Sequence, residues 1–226
     1  MVAFFGKLPS HGDFVGRRLP PEVKDCFDRW LQAGLVRSRE DLGDGWLPVW
    51  LSSPIWRFVV AEGVCGEQAW AGVMMPSHDR VGRCFPLLLM AGIAGTPSLR
   101  DCLTVHQGWF ERLEELALSS LDEAFTLTAL DLGLVGMDDG PRGTAPDAPG
   151  QAETGELPAV AVLEDGRLPL LAEAPMPGAS AWWTDGSAQV QACLAVCRGM
   201  PAAAEFAALL DGEWAMRNCR LDKTGE

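Results

Sequence analysis

Apolar positions along this chain follow two rhythms, one continuous or alternating over short stretches and one recurring every three to four residues. Residues 2–5 form a short apolar run closed by Gly6 and read as a buried strand. After a turn, Leu19-Pro20-Pro21 opens a helix in which Val23, Phe27, Trp30, Leu31 and Leu35 share one face. The prolines stand in its first turn, where a missing N–H has no intrahelical partner to lose, and Gly43-Asp44-Gly45 stops it. Strand-like runs follow at 47–51, 55–60, 69–74 and 86–93, separated by Ser-Ser-Pro, by the glycines at 63 and 66, and by a second Pro/Gly turn. The last run is unbroken, as expected of a strand covered on both faces. Thr96-Pro97 supplies a cap and a first-turn proline for a single long helix whose face is Leu99, Cys102, Leu103, His106, Phe110, Leu113 and Leu116.

A further helix is read over 121–132, although Thr126 and Thr128 also suit a strand. Residues 136–156 lose all periodicity and turn to Gly, Pro, Ala and Asp, so they read as a mobile acidic loop with fast amide exchange and early proteolysis. Residues 157–163 and 181–184 read as returning strands and 201–216 as a closing amphipathic helix, with no internal repeat. The predicted fold is α/β: a three-layer α/β/α sandwich around a mixed sheet, in a single domain over 1–226.

Composition changes this picture little. A chain of 226 residues with 48% apolar and 22% charged positions can bury a sizeable core, about 70% of its unfolded surface. The net charge of −13 is uneven: ten acidic and ten basic residues in 1–90, fourteen against three in 111–175. Phosphate-backbone binding by the whole chain is disfavoured, while the N-terminal part is left free to carry a basic patch. Seven cysteines, at 26, 65, 84, 102, 193, 197 and 219, show no regular framework. With no secretory leader pattern, and a longest apolar run, 85–94, too short to span a bilayer, they read as reduced thiols in a soluble cytoplasmic protein.

Chemistry concentrates in two turns with one design. Gly6-Lys7-Leu8-Pro9-Ser10-His11-Gly12-Asp13 and Pro76-Ser77-His78-Asp79-Arg80-Val81-Gly82-Arg83 each set charge, histidine and hydroxyl between apolar flanks. Two such turns in one small domain are expected to meet at a shared edge. If they do, His11, Asp13, His78 and Asp79 could serve one metal in a hydrolase or phosphoesterase. No His-x-x-x-His spacing supports that reading, and adjacent Ser, His and Asp side chains point to opposite faces of extended backbone, which disfavours a triad. No Walker loop, dinucleotide fingerprint or Gly-x-Ser-x-Gly is present. Cys193 and Cys197 read as small buried hydrophobes and His106 as a core histidine.

What remains is cationic. Lys7, Arg17 and Arg18 border the first turn and Arg80 and Arg83 lie in the second, forming a basic rim for an acidic protein segment or phosphate. The alternative is internal pairing of these arginines with Asp13 and Asp79. Trp182-Trp183 in a strand would put one ring in the core and Trp183 or its neighbour on the other face, as an interface anchor unless a helix covers it.

The same residues carry a resemblance. Gly6-Lys7-Leu8-Pro9 with Gly12-Asp13-Phe14, Phe27-Asp28-Arg29-Trp30-Leu31, Pro54-Ile55-Trp56-Arg57-Phe58, then Pro76-Ser77 followed by Asp79-Arg80-Val81-Gly82-Arg83 and Phe85-Pro86-Leu87, closely resemble the TagF family of type VI secretion-associated proteins. Ala181-Trp182-Trp183-Thr184-Asp185-Gly186 extends the likeness. The resemblance implies a cytoplasmic accessory protein that restrains the secretion apparatus after translation, through contacts with its forkhead-associated scaffold protein, without catalysis or cofactor. Its motif residues on this chain are Lys7, Pro9, Gly12, Asp13, Arg17, Arg18, Ser77, Asp79, Arg80, Gly82, Arg83 and Trp183.

Overall fold

In the computed structural model, residues 1–122, 124–137, 140–141, 157–164, 167–173, 176–217 and 219–222 are described. Of the segment read as an acidic loop, 138–139 and 142–156 lie outside them. The described strands are β1 (Ala3–Gly6), β2 (Val15–Arg17), β3 (Trp56–Val60), β4 (Ala69–Met75), β5 (Leu87–Ile93), β6 (Ala159–Val162), β7 (Ala179–Thr184), β8 (Cys193–Arg198) and β9 (Arg220–Asp222). They form one sheet in the order β2-β1-β5-β4-β3-β7-β8-β6-β9. Every pairing is antiparallel except β6 with β9, so the sheet is mixed.

Strict alternation along the central strands divides the interior in two. Phe5, Phe58, Trp70, Leu88, Met90 and Trp182 face one layer, which holds α1 (Pro21–Leu42), α2 (Trp46–Ser52) and α6 (Phe206–Asp211). Their neighbours Phe4, Val59, Ala71, Leu87, Leu89 and Trp183 face the other, which holds α3 (Leu99–Leu103), α4 (Gln107–Ser119) and α5 (Leu127–Val135). This is the three-layer α/β/α arrangement that unbroken apolar strands require, since both faces must leave water. In α1 the stripe Val23, Phe27, Trp30, Leu31 and Leu35 is buried as its spacing predicts. Gly34 lies in the same face because a Cβ there would stand 2.3 Å from the Phe206 ring, so only glycine lets α6 approach.

Five indole N–H groups, three of them reaching distant segments, tie the α1 side of the sheet together. Trp30 donates to the Pro201 carbonyl at 2.8 Å and Trp56 to the Leu209 carbonyl at 2.8 Å, both fastening the α6 region. Trp46 donates to Ser38 Oγ, Trp182 to Ser180 Oγ and Trp50 to the Ser77 carbonyl. Large rings with a single donor suit this work, because each of these five N–H groups needs only one acceptor.

Several local expectations are corrected. Residues 47–51 belong to α2, not a strand, with Trp46 and Trp50 four apart and stacked at 5.3 Å. The helix expected from Thr96 is two, capped by Ser98 rather than Thr96 and interrupted at 104–106, where Thr104 Oγ1 bonds back to the Arg100 carbonyl. His106 precedes α4 at its N-terminus. The next helix starts at Leu127, with Thr126 as its cap, and the closing helix spans only Phe206–Asp211. Residues 193–198 are a strand, which still gives Cys193 and Cys197 one face. Cys26 on α1 is joined to Cys65 by a disulfide, so the thiols are not uniformly reduced. The loop after β3 folds onto α1 so closely that a Cβ on Gly66 would touch Val23.

Candidate functional site

The register explains why the two motif turns meet. Gly6 at the end of β1 and Met75 at the end of β4 both pair with Leu87, so both chains leave the sheet at one end, on either side of β5. There they lock. Arg80 N–H donates to the His11 carbonyl at 2.8 Å, Arg83 Nη2 to the Gly12 carbonyl at 2.6 Å, and Ser77 Oγ to the Lys7 carbonyl at 2.9 Å. Pro9 and Ser77 are buried beneath the turns.

Asp79 is the centre of this clasp and is 0% exposed. Its Oδ1 accepts from the backbone N–H groups of Val81 (3.1 Å) and Arg83 (2.9 Å). Its Oδ2 accepts from Lys7 Nζ (3.0 Å) and Arg83 Nε (2.6 Å). Burial alone would raise its pKa; the Arg83 backbone, Lys7, the Arg83 side chain and the Val81 backbone together outweigh that and hold it well below the usual carboxylate range. Lys7, itself buried, also lies over the Phe14 ring at 5.0 Å, and Phe14 packs edge-on to Phe85 at 4.8 Å. Gly82 takes the positive φ of 83° that closes the second turn.

The metal alternative meets a different geometry. Asp79 is filled by four donors, Asp13 Oδ1 accepts from Phe14 N–H, His11 Nδ1 contacts Ser10 Oγ and His78 Nδ1 contacts the Asp79 carbonyl. Among the described residues no group of three or more His, Cys, Asp or Glu is placed to hold a metal ion. Burial pushes the thiols of Cys102 and Cys193 up to about 12, far from a reactive thiolate.

The basic rim resolves into three parts. Lys7 and Arg83 belong to Asp79. Arg17 and Arg18 share Asp131 of α5, an acid the sequence reading did not single out. The Arg18 guanidinium also donates to the Val2 carbonyl at 2.7 Å, from a backbone held at φ 63°. Of the five rim cations, only Arg80 makes no ion pair among the described residues. Trp183 is not a surface anchor: it is 1% exposed, because α4 covers that face and Phe110 meets its ring edge-on at 4.8 Å.

A second polar centre escaped the sequence reading. Arg57, buried in β3, holds Glu114 of α4 through two 2.8 Å bonds and Asp185 after β7 at 2.7 Å. Burial opposes its charge, but the bonds and charges of Glu114 and Asp185 more than compensate, and its pKa is raised. Arg57→Met removes charge-assisted bonds to two acids that water still reaches, Asp185 more than Glu114, and is expected to lower stability by about 2 kcal/mol. A denaturation midpoint unchanged from wild type would contradict this.

Two turns locked by one buried carboxylate, on the edge of a mixed sheet, can now be set beside known proteins. The model of the TagF N-terminal domain, described as type VI secretion system-associated, matches residues 3–136. The crystal structure of PA0076 from Pseudomonas aeruginosa PAO1, at 2.05 Å resolution, is similar at 38% identity, covering 94% of this chain and 95% of that one, with a TM-score of 0.80. No match is found among the curated proteins. The class is therefore a type VI secretion-associated protein. The chain belongs to the TagF family.

Proposed function

We propose that this protein is a cytoplasmic, post-translational negative regulator of type VI secretion that works by binding, not catalysis, and that it holds a forkhead-associated scaffold component of the system. Family membership over residues 3–136 carries this reading. The clasp supports it: Asp79 already has four donors, so the motif acid that chemistry would need is spent on shaping an edge. That no described helix is long and apolar enough to cross a membrane is compatible with this place of action.

A binding repressor must match its target in amount, whereas an enzyme acts at trace levels. Graded overproduction in secretion-competent cells is therefore expected to silence secretion in proportion to protein level, and the scaffold is expected in a pull-down. His11→Ala with His78→Ala should leave repression intact, since neither ring bonds the Asp79 carboxylate, whose four donors come from Lys7, Val81 and Arg83. Full repression at trace levels, or its loss in a folded double variant, would favour the metal-hydrolase alternative.

A further inference from the structure

Beside the clasp, the outer edge of the sheet opens into a cleft of about 360 Å³ built on β2. Its walls carry Phe5, Phe14, Arg17, Arg18 and Lys24, and no acidic residue lines it. Among the described residues β2 has a neighbour on one side only, β1, so its outer backbone N–H and C=O groups form an unpaired edge there, the template on which an extended chain adds. Gly16 pairs with Phe5 across the strands and brings no side chain; the Phe5 ring beneath is buried, with Phe14 stacked on it at 5.7 Å. Lys24 of α1 lies over that ring at 5.4 Å and makes no ion pair among the described residues. Phe14 is 46% exposed at the mouth.

The charge balance identifies the occupant. Arg17 and Arg18 share a single carboxylate, Asp131, and Lys24 has none, so three cations face one acid at this edge. Arg17 remains 49% exposed while doing so. Asp131 shows what this pair of guanidiniums accepts, a side-chain carboxylate, and the exposed Phe14 ring offers an apolar surface beside it.

We propose that the β2 edge receives an acidic, extended segment of a partner protein, which adds to the sheet as an extra strand with a carboxylate toward Arg17 on one face, a carboxylate toward Lys24 on the other, and an apolar side chain against the exposed Phe14. This names a surface and a partner chemistry for the binding repressor above, and it rests on that reading only for the partner's place in secretion.

The test uses the full chain, ¹⁵N-labelled, titrated with a blocked peptide of repeating Glu-Glu-Val, which as a strand carries carboxylates on both faces, and with its Lys-Lys-Val counterpart. The expected result is amide shifts centred on residues 14–18 and 24 with the acidic peptide alone, weakened by added salt. Arg17→Glu with Lys24→Glu should reduce affinity by about tenfold or more, because like charges would then face each other. Should Arg17→Glu loosen the Asp131 tie, Lys24→Glu alone, which touches no ion pair, is expected to weaken binding about fivefold with unchanged thermal stability. Equal binding of both peptides, shifts centred elsewhere, no binding, or unaltered affinity in the folded Lys24→Glu variant would overturn the proposal. None of these outcomes bears on whether secretion falls with protein dose, so the two readings fail separately.

Discussion

Asp79→Ala is expected to lower stability by about 3–5 kcal/mol, because it strands the buried Lys7 ammonium and frees two backbone N–H groups at once. For a chain of this size that corresponds to a fall of roughly 6–20 °C in melting temperature. The loss should depend on pH with a definite sign. The folded-state pKa of Asp79 is lowered from its ordinary 3.8, so its contribution is complete above that value and is lost as pH falls toward the folded-state value. Melting curves of wild type and variant should therefore run apart and parallel from neutral pH to about 5, then converge in acid below about 4. A gap that persists unchanged at pH 2.5 would mean the carboxylate is not what the clasp depends on.

Gly6→Ala is expected to be at least as damaging. Gly6 sits at φ 143°, and a Cβ there would lie 2.0 Å from the Pro86 carbonyl oxygen and 2.8 Å from Leu87 Cα. Both are backbone atoms of the neighbouring chain, so no rotamer change relieves the overlap; β1 would have to leave β5. A cost above about 4 kcal/mol, the range of exceptional single substitutions, follows. Gly63→Ala separates conformation from contact. Gly63 also has positive φ, 82°, but nothing stands within 4 Å of its Cβ position, so only the left-handed penalty of about 1–2 kcal/mol applies. Equal denaturation midpoints for the two variants would refute the close-approach argument.

Much of this architecture was legible in the chain, and the reasons for the rest are local. β1, β3, β4, β5 and α1 are long or apolar enough for one period to dominate. α2 was misread because Leu-Pro-Val-Trp-Leu is a short apolar run with no period of its own; the Trp46 to Trp50 spacing was the helical sign. The break between α3 and α4 lies at Thr104-Val105, where apolar spacing continues but β-branched residues interrupt the backbone pattern. β2 is three residues long and is defined only by pairing with β1. The meeting of the two turns could be anticipated from their common design, yet Asp131 as the counter-ion of Arg17 and Arg18 could not, since nothing local links residues so far apart. Arg57 could have been found: a cation inside the apolar run of β3 demands an acidic partner within reach.

The placement of the tryptophans has a spectroscopic consequence. Trp30, Trp46, Trp50, Trp56, Trp70, Trp182 and Trp214 lie on the α1 side of the sheet and only Trp109 and Trp183 on the other, and the chain has no tyrosine. Ultraviolet emission from this protein is therefore a one-sided signal that watches the layer of α1, α2 and α6. Loosening of α4 and α5 would dim circular dichroism while leaving most of the fluorescence in place, so recording both during unfolding tells which side of the sheet gives way first.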